Sequence, residues 1–184
     1  MDLNLKFRQL FLSAFYEPKK LAAYRLLPFG KVVKYIFIFV FFTAVLSFVN
    51  FSISSRDILA DTEIPAEELK GIGPLLYPAA FVLQFLISTF YFYIKASIAA
   101  LAGMGMVRIR GRRGEYRHLW RTSAVALTVP TLILLSDDLL GGIIPLATVL
   151  SWAAAFVYIW LAVGYYPKNG PSKRPVAHKP PARS

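Results

Sequence analysis

The chain has 184 residues, a formal net charge of +11 and no cysteine; 57% of it is apolar and 15% aromatic. A mean hydropathy of +0.53 lies above the range of soluble domains and excludes that class, and the lack of cysteine excludes disulfides, thiolate zinc sites and cysteine nucleophiles. The bases flank apolar runs, so they read as topology determinants and contacts for anionic lipid; no nucleic-acid partner is expected.

Residues 1–31 read as a cytoplasmic amphipathic segment. Leu3, Phe7, Leu10, Phe11, Ala14 and Phe15 recur at helical spacing, with Lys6, Arg8 and Gln9 on other faces. Such a helix lies in the membrane interface or packs on the chain's own bundle. Glu17-Pro18 ends or bends it, because proline disfavours helix in the residue before it. Lys19, Lys20, Arg25, Lys31 and Lys34 continue a positive approach to the membrane.

A four-span membrane domain is expected over residues 32–166, with spans at about 32–51, 74–106, 119–136 and 143–166. The first is rich in phenylalanine and nearly free of small residues until Thr43 and Ala44, so its first half is expected to face lipid. The connector 52–73 carries Asp57, Asp61, Glu63, Glu67 and Glu68 and is expected outside as a solvated loop, within which Pro65 can start a short helix.

The second apolar run, Pro74 to Val107, is longer than one crossing needs. As one helix it reaches about 50 Å, so it tilts, projects or breaks. Lys95 is its single ionisable residue and has two open placements. Its ammonium snorkels to the inner interface, or it stands inside the bundle as a candidate solute site for an anion. No carboxylate at lipid depth is offered to pair with it. Ala96 with Ala100, and Ala99 with Gly103, form small-xxx-small pairs that let helix backbones approach, within the chain or in a homo-oligomer.

The segment from Val107 to Arg121 is too charged for lipid, and its arginines hold it on the cytoplasmic side. Arg108, Arg110, Arg112, Arg113, Arg117 and Arg121 are its candidate contacts for anionic lipid or a protein partner. The third span is unusually polar, with Arg121, Thr122, Ser123, Thr128 and Thr131, and Pro130 kinks it. A kinked helix with hydroxyls belongs inside the bundle. Asp137-Asp138 marks its outer end, Gly141-Gly142 turns the chain, and Trp152, Tyr158, Trp160, Tyr165 and Tyr166 supply interfacial anchors to the fourth span. Residues 167–184 read as a disordered basic cytoplasmic tail. The fold class is therefore all-α, a polytopic membrane helical bundle with an N-terminal amphipathic interfacial helix and both termini cytoplasmic.

Phe7-Arg8-Gln9-Leu10-Phe11, Phe15-Tyr16-Glu17-Pro18-Lys19-Lys20 and Tyr116-Arg117-His118-Leu119-Trp120-Arg121-Thr122-Ser123, followed by Leu127-Thr128-Val129-Pro130-Thr131, resemble the domain-of-unknown-function 1189 family. The resemblance covers the chain from Phe7 to about Tyr166. It implies a cell-membrane protein of a Gram-positive bacterium, distantly similar to Yip-type multispanning proteins, with no catalytic residues to carry over.

HExxH, a Walker-type lysine loop, GxSxG and paired carboxylates at membrane depth are absent, and His118 and His178 have no second ligand at metal spacing. The chain is expected to be non-enzymatic and free of cofactors and metals. The leading functional expectation is a membrane scaffold or accessory subunit binding anionic lipid and a membrane or cytoplasmic partner through its basic segments. The alternative is a small carrier or channel for an anion or neutral solute, disfavoured because the first and fourth spans offer few polar residues to a pathway.

Overall fold

The computed structural model describes Phe11, residues 18–60 and residues 66–168. The segment over which the N-terminal amphipathic helix is expected, apart from Phe11, lies outside these described residues, as do the connector residues 61–65 and the tail 169–184. Among the described residues, four helical stretches are long and apolar enough to cross a membrane, namely Phe29–Ile53, Tyr77–Ile109, Tyr116–Leu139 and Ala147–Gly164. They run up and down as a bundle, the architecture of a multi-pass membrane protein.

Helix α1 (Pro18–Ala23) starts on a proline and runs into a 3-10 turn at Tyr24–Leu26. Its ring fixes the first helical φ where no N–H partner is needed. Leu21, Tyr24 and Leu27 are buried, so this segment closes one end of the bundle. We call this the basic end. Phe11 packs there on the core, its ring 6.3 Å from that of Phe39.

Helix α2 (Phe29–Ala60) follows Pro28. Val32, Tyr35, Ile36, Phe39, Val40 and Ala44 repeat at three- and four-residue steps and are buried, while Phe37, Phe41 and Phe42 are exposed. The first half of this helix therefore packs as well as facing lipid, against the expectation of lipid contact alone. Bulky rings do not need small residues to meet a neighbour. Phe39 meets Phe92 edge-on at 6.2 Å, and Phe41 meets Phe85 at 5.9 Å.

Helix α3 (Ala66–Ile109) is unbroken over 44 residues. It merges the short helix expected near Pro65 with the second apolar run, and α2 extends to Ala60, so most of the expected acidic loop is helical. At about 1.5 Å per residue α3 measures about 66 Å and projects well beyond a hydrocarbon core of about 30 Å. Gly111, at φ +58°, ends it: Arg112 N–H donates to the Val107 carbonyl at 2.9 Å and Gly111 N–H to that of Arg108 at 3.1 Å. This is a Schellman closure, which needs a left-handed residue.

The third crossing is two helices, α4 (Tyr116–Ala126) and α5 (Thr128–Leu139), hinged at Leu127. Residues Leu119, Trp120 and Thr122–Thr128 are buried, so α4 is the central post of the bundle. The last crossing, α6 (Ala147–Gly164), begins later than residue 143 because Gly141, Gly142 and Leu146 all hold positive φ in the turn. Asp137 closes that turn by accepting the Ile144 N–H at 2.9 Å.

Candidate functional site

Lys95 is 2% exposed. The snorkelling placement at an interface is thus replaced by one inside the bundle. It shares a helix face with Ala99 and Gly103 at four-residue steps, and that face packs inward. Lys95, Ala96, Ala99 and Ala100 are all buried, and a Cβ on Gly103 would stand 3.2 Å from both Ile159 Cγ2 and Leu119 Cδ2. The small residues expected to mediate helix packing therefore do so within this chain, letting α3 approach α4 and α6.

The Lys95 ammonium donates to Ser151 Oγ at 2.7 Å, and Ser151 Oγ donates in turn to the Pro130 carbonyl at 2.7 Å. The aromatic faces of Trp152 and Tyr91 stand 5.2 and 5.8 Å from Nζ, near enough for attraction to a cation. Among the described residues no carboxylate lies within ion-pair distance of it. An ammonium carries three donors, and one is accounted for by Ser151.

Pro130 organises the acceptor side. It sits in the first turn of α5, where its missing N–H leaves no intrahelical gap. The hydroxyl of Thr128 donates to the Val125 carbonyl at 2.7 Å, and Tyr35 meets Thr128 Oγ1 at 2.7 Å. The kink and the compensating hydroxyls expected from sequence are both present, displaced to Leu127, three residues ahead of the proline.

A cavity of about 290 Å³ opens between α2, α3 and α5, with Lys95 in its wall. Helix α2 adds Thr43 and Ser47, α3 adds Gln84 and Ser88, and α5 adds Thr131 and Asp138. The remaining wall is largely apolar. At the end away from the basic segment, Ser47 Oγ donates to Asp138 Oδ2 at 2.6 Å and Asn50 Nδ2 to the Asp138 carbonyl at 2.7 Å, clasping α2 to α5. Sequence reasoning placed Asp138 beyond the membrane and passed over Gln84 and Ser151. Gln84 and Ser151 each stand as a polar residue between apolar neighbours, which was the signal available.

Ser151 and Lys95 have the spacing of a nucleophile and its base. Ser151 is fully buried and absent from the cavity wall, and its hydroxyl proton points to the Pro130 carbonyl. It therefore positions Lys95 from behind and presents no atom to a substrate in the cavity.

The arginines of the basic segment are largely engaged within the chain. The Arg110 guanidinium stacks 3.9 Å from the Trp160 ring, Arg112 donates to the Tyr166 carbonyl at 2.7 Å, and Arg121 donates to the Arg25 carbonyl at 3.1 Å. Arg117 pairs with Glu115 at 2.6 Å, both well exposed, which contributes little to stability. Backbone pairing of Arg113 N–H to the Pro167 carbonyl at 2.8 Å and a bridge between Arg112 and Lys168 tie the segment to the end of α6. Arg108 is exposed. Tyr166, expected as an interfacial anchor, is instead fully buried; its hydroxyl meets Thr122 Oγ1 at 2.7 Å, and burial pushes its phenol up from the usual range.

Neither a curated protein nor a solved structure matches the chain. The family described as Protein of unknown function (DUF1189) matches residues 49–163, a range that holds Lys95, Asp138, Ser151 and the basic segment and leaves out the aromatic motif at Phe7–Lys20. With well over half of its length inside that match, the chain belongs to the DUF1189 family.

Proposed function

We propose that this chain is a non-enzymatic carrier that takes a small anion into its bundle at Lys95. The observation that supports this reading is the buried ammonium itself, with donors to spare, in the wall of a cavity to which three crossings bring polar side chains while the fourth supplies Ser151. A charge held away from water is costly unless it is paired, and an incoming anion meets that need. The objection that the first crossing is too apolar for a pathway weakens, since Thr43 and Ser47 line the cavity, while the last crossing acts through Ser151, which holds Lys95 from behind.

Reconstituted into liposomes, the wild-type chain is expected to carry current on a solid-supported membrane when short-chain monocarboxylates or inorganic phosphate are applied. Lys95→Met abolishes the current and Lys95→Arg retains part of it. Equal currents from wild type and Lys95→Met, at equal protein density, refute the carrier.

The accessory-subunit reading has less behind it, because contacts within the chain already engage most of the arginines meant for a partner. Exposed Arg108 suits anionic head groups instead. In this reading the basic end faces the cytoplasm of a bacterial cell, both termini lie there, and the Asp138 end faces outward.

A further inference from the structure

The Lys95 cavity is not a closed chamber. Toward the Asp138 end it meets a second cavity of about 410 Å³ that shares Ser47, Gln84, Ile87 and Asp138 with it and continues past Ala80, Leu83 and Phe51. The two form one slot along the seam of α2 and α3. From Ala80 to Lys95 the helical rise is about 22 Å. Among the described residues that line either part, Lys95 is the one cation, and it stands at the far end of a largely apolar wall.

That distribution selects a ligand. A small hydrated anion entering such a slot gives up water to apolar walls and regains hydrogen bonds at one end only. An amphiphile brings its own apolar surface, which gains from the same walls. The way in is lateral: Leu83 and Ile87, at the edge of the slot, are 58% and 57% exposed on a face of α3 that also presents Leu86, Phe90 and Ile94 outward, where acyl chains lie. We infer that the slot takes a single-chain amphiphile with an acidic head group, its carboxylate or phosphate seated at Lys95 and its chain lying along the α2–α3 seam toward Ala80 and Phe51. The inference rests on the anion-binding reading of Lys95 and adds the tail.

The test uses the full chain in nanodiscs of neutral phosphatidylcholine, with oleate, propionate and the neutral ester monoolein as probes, read by the shift in thermal unfolding and by equilibrium binding of labelled oleate. Oleate is expected to bind at one equivalent and to stabilise the protein far more than propionate or monoolein. Lys95→Met weakens it about tenfold or more, as loss of a charge-assisted contact does, and Lys95→Arg restores most of the affinity. Ala80→Trp and Leu83→Trp, which fill the outer part of the slot at residues that do not line the Lys95 cavity, weaken oleate and leave the smaller propionate response unchanged. They also keep the test decisive if Lys95→Met does not fold. Equal, Lys95-dependent responses to propionate and oleate overturn the tail and leave the anion site standing. Oleate and monoolein binding alike, unaffected by Lys95→Met, means a groove filled by any lipid and overturns both. A lysophosphatidate competing with oleate identifies phosphate as the better head; failure to compete identifies carboxylate, and either supports the slot.

Discussion

Ser151 holds two groups in place at once, accepting from Lys95 and donating to the Pro130 carbonyl. Ser151→Ala leaves both without that partner. Interhelical hydrogen bonds in membrane proteins contribute about 0.6 to 2 kcal/mol, so the variant should lose about 1 kcal/mol of unfolding free energy in detergent, with anion affinity falling as the ammonium reorients. A drop in stability with unchanged affinity would make Ser151 merely structural. At the basic end, Tyr166→Phe removes the bond to Thr122 from a fully buried phenol. Its cost should be similar, about 1 kcal/mol, and because Tyr166 is remote from Lys95, affinity should not move. Comparing the two variants by chemical denaturation and binding separates general loosening from loss of the site.

At the scale of helices, α3 carries most of the design. Its inward stripe combines the buried Lys95 with the small residues that bring α4 and α6 close, so the packing surface and the site share a face. Gly103→Val adds bulk where even a methyl group stands 3.2 Å from Ile159 and Leu119. Overpacking of this kind costs about 1 to 3 kcal/mol, and here it pushes α6 outward and carries Ser151 away from Lys95. The expected result is a lower melting temperature together with weaker anion binding. The same substitution at Gly105, where a Cβ meets nothing within 4 Å, should leave both much less altered. The hinge at Leu127 is the other element-level device. It puts the Pro130 carbonyl where Ser151 can reach it.

For the whole molecule, the alternation of crossings follows from the lengths of the apolar helices, while orientation is a separate matter of charge. The cysteine-free chain makes it measurable. Arg108→Cys and Leu140→Cys place single thiols at exposed positions on opposite ends. In intact cells a membrane-impermeant maleimide should label Leu140→Cys and spare Arg108→Cys; the reverse pattern inverts the topology and turns the Asp138 mouth inward.

Sequence by itself determined the class, the number of crossings, the hydroxyl-rich kinked third span and the glycine turn after Asp138. Those properties come from hydropathy, helix period and backbone chemistry, all local along the chain. It left Lys95 between two placements, because spacing along a helix gives depth but the partner of a face depends on which neighbours surround it. Lys95, Ala99 and Gly103 share one face in the sequence, yet only packing against Ile159 and Leu119 makes that face interior. Tertiary structure likewise decided that the arginines brace the basic end, and that Asp138, Gln84 and Ser47, remote in sequence, border one cavity with Lys95. Contacts between residues far apart in the chain leave no periodic trace in it, and the site consists of such contacts.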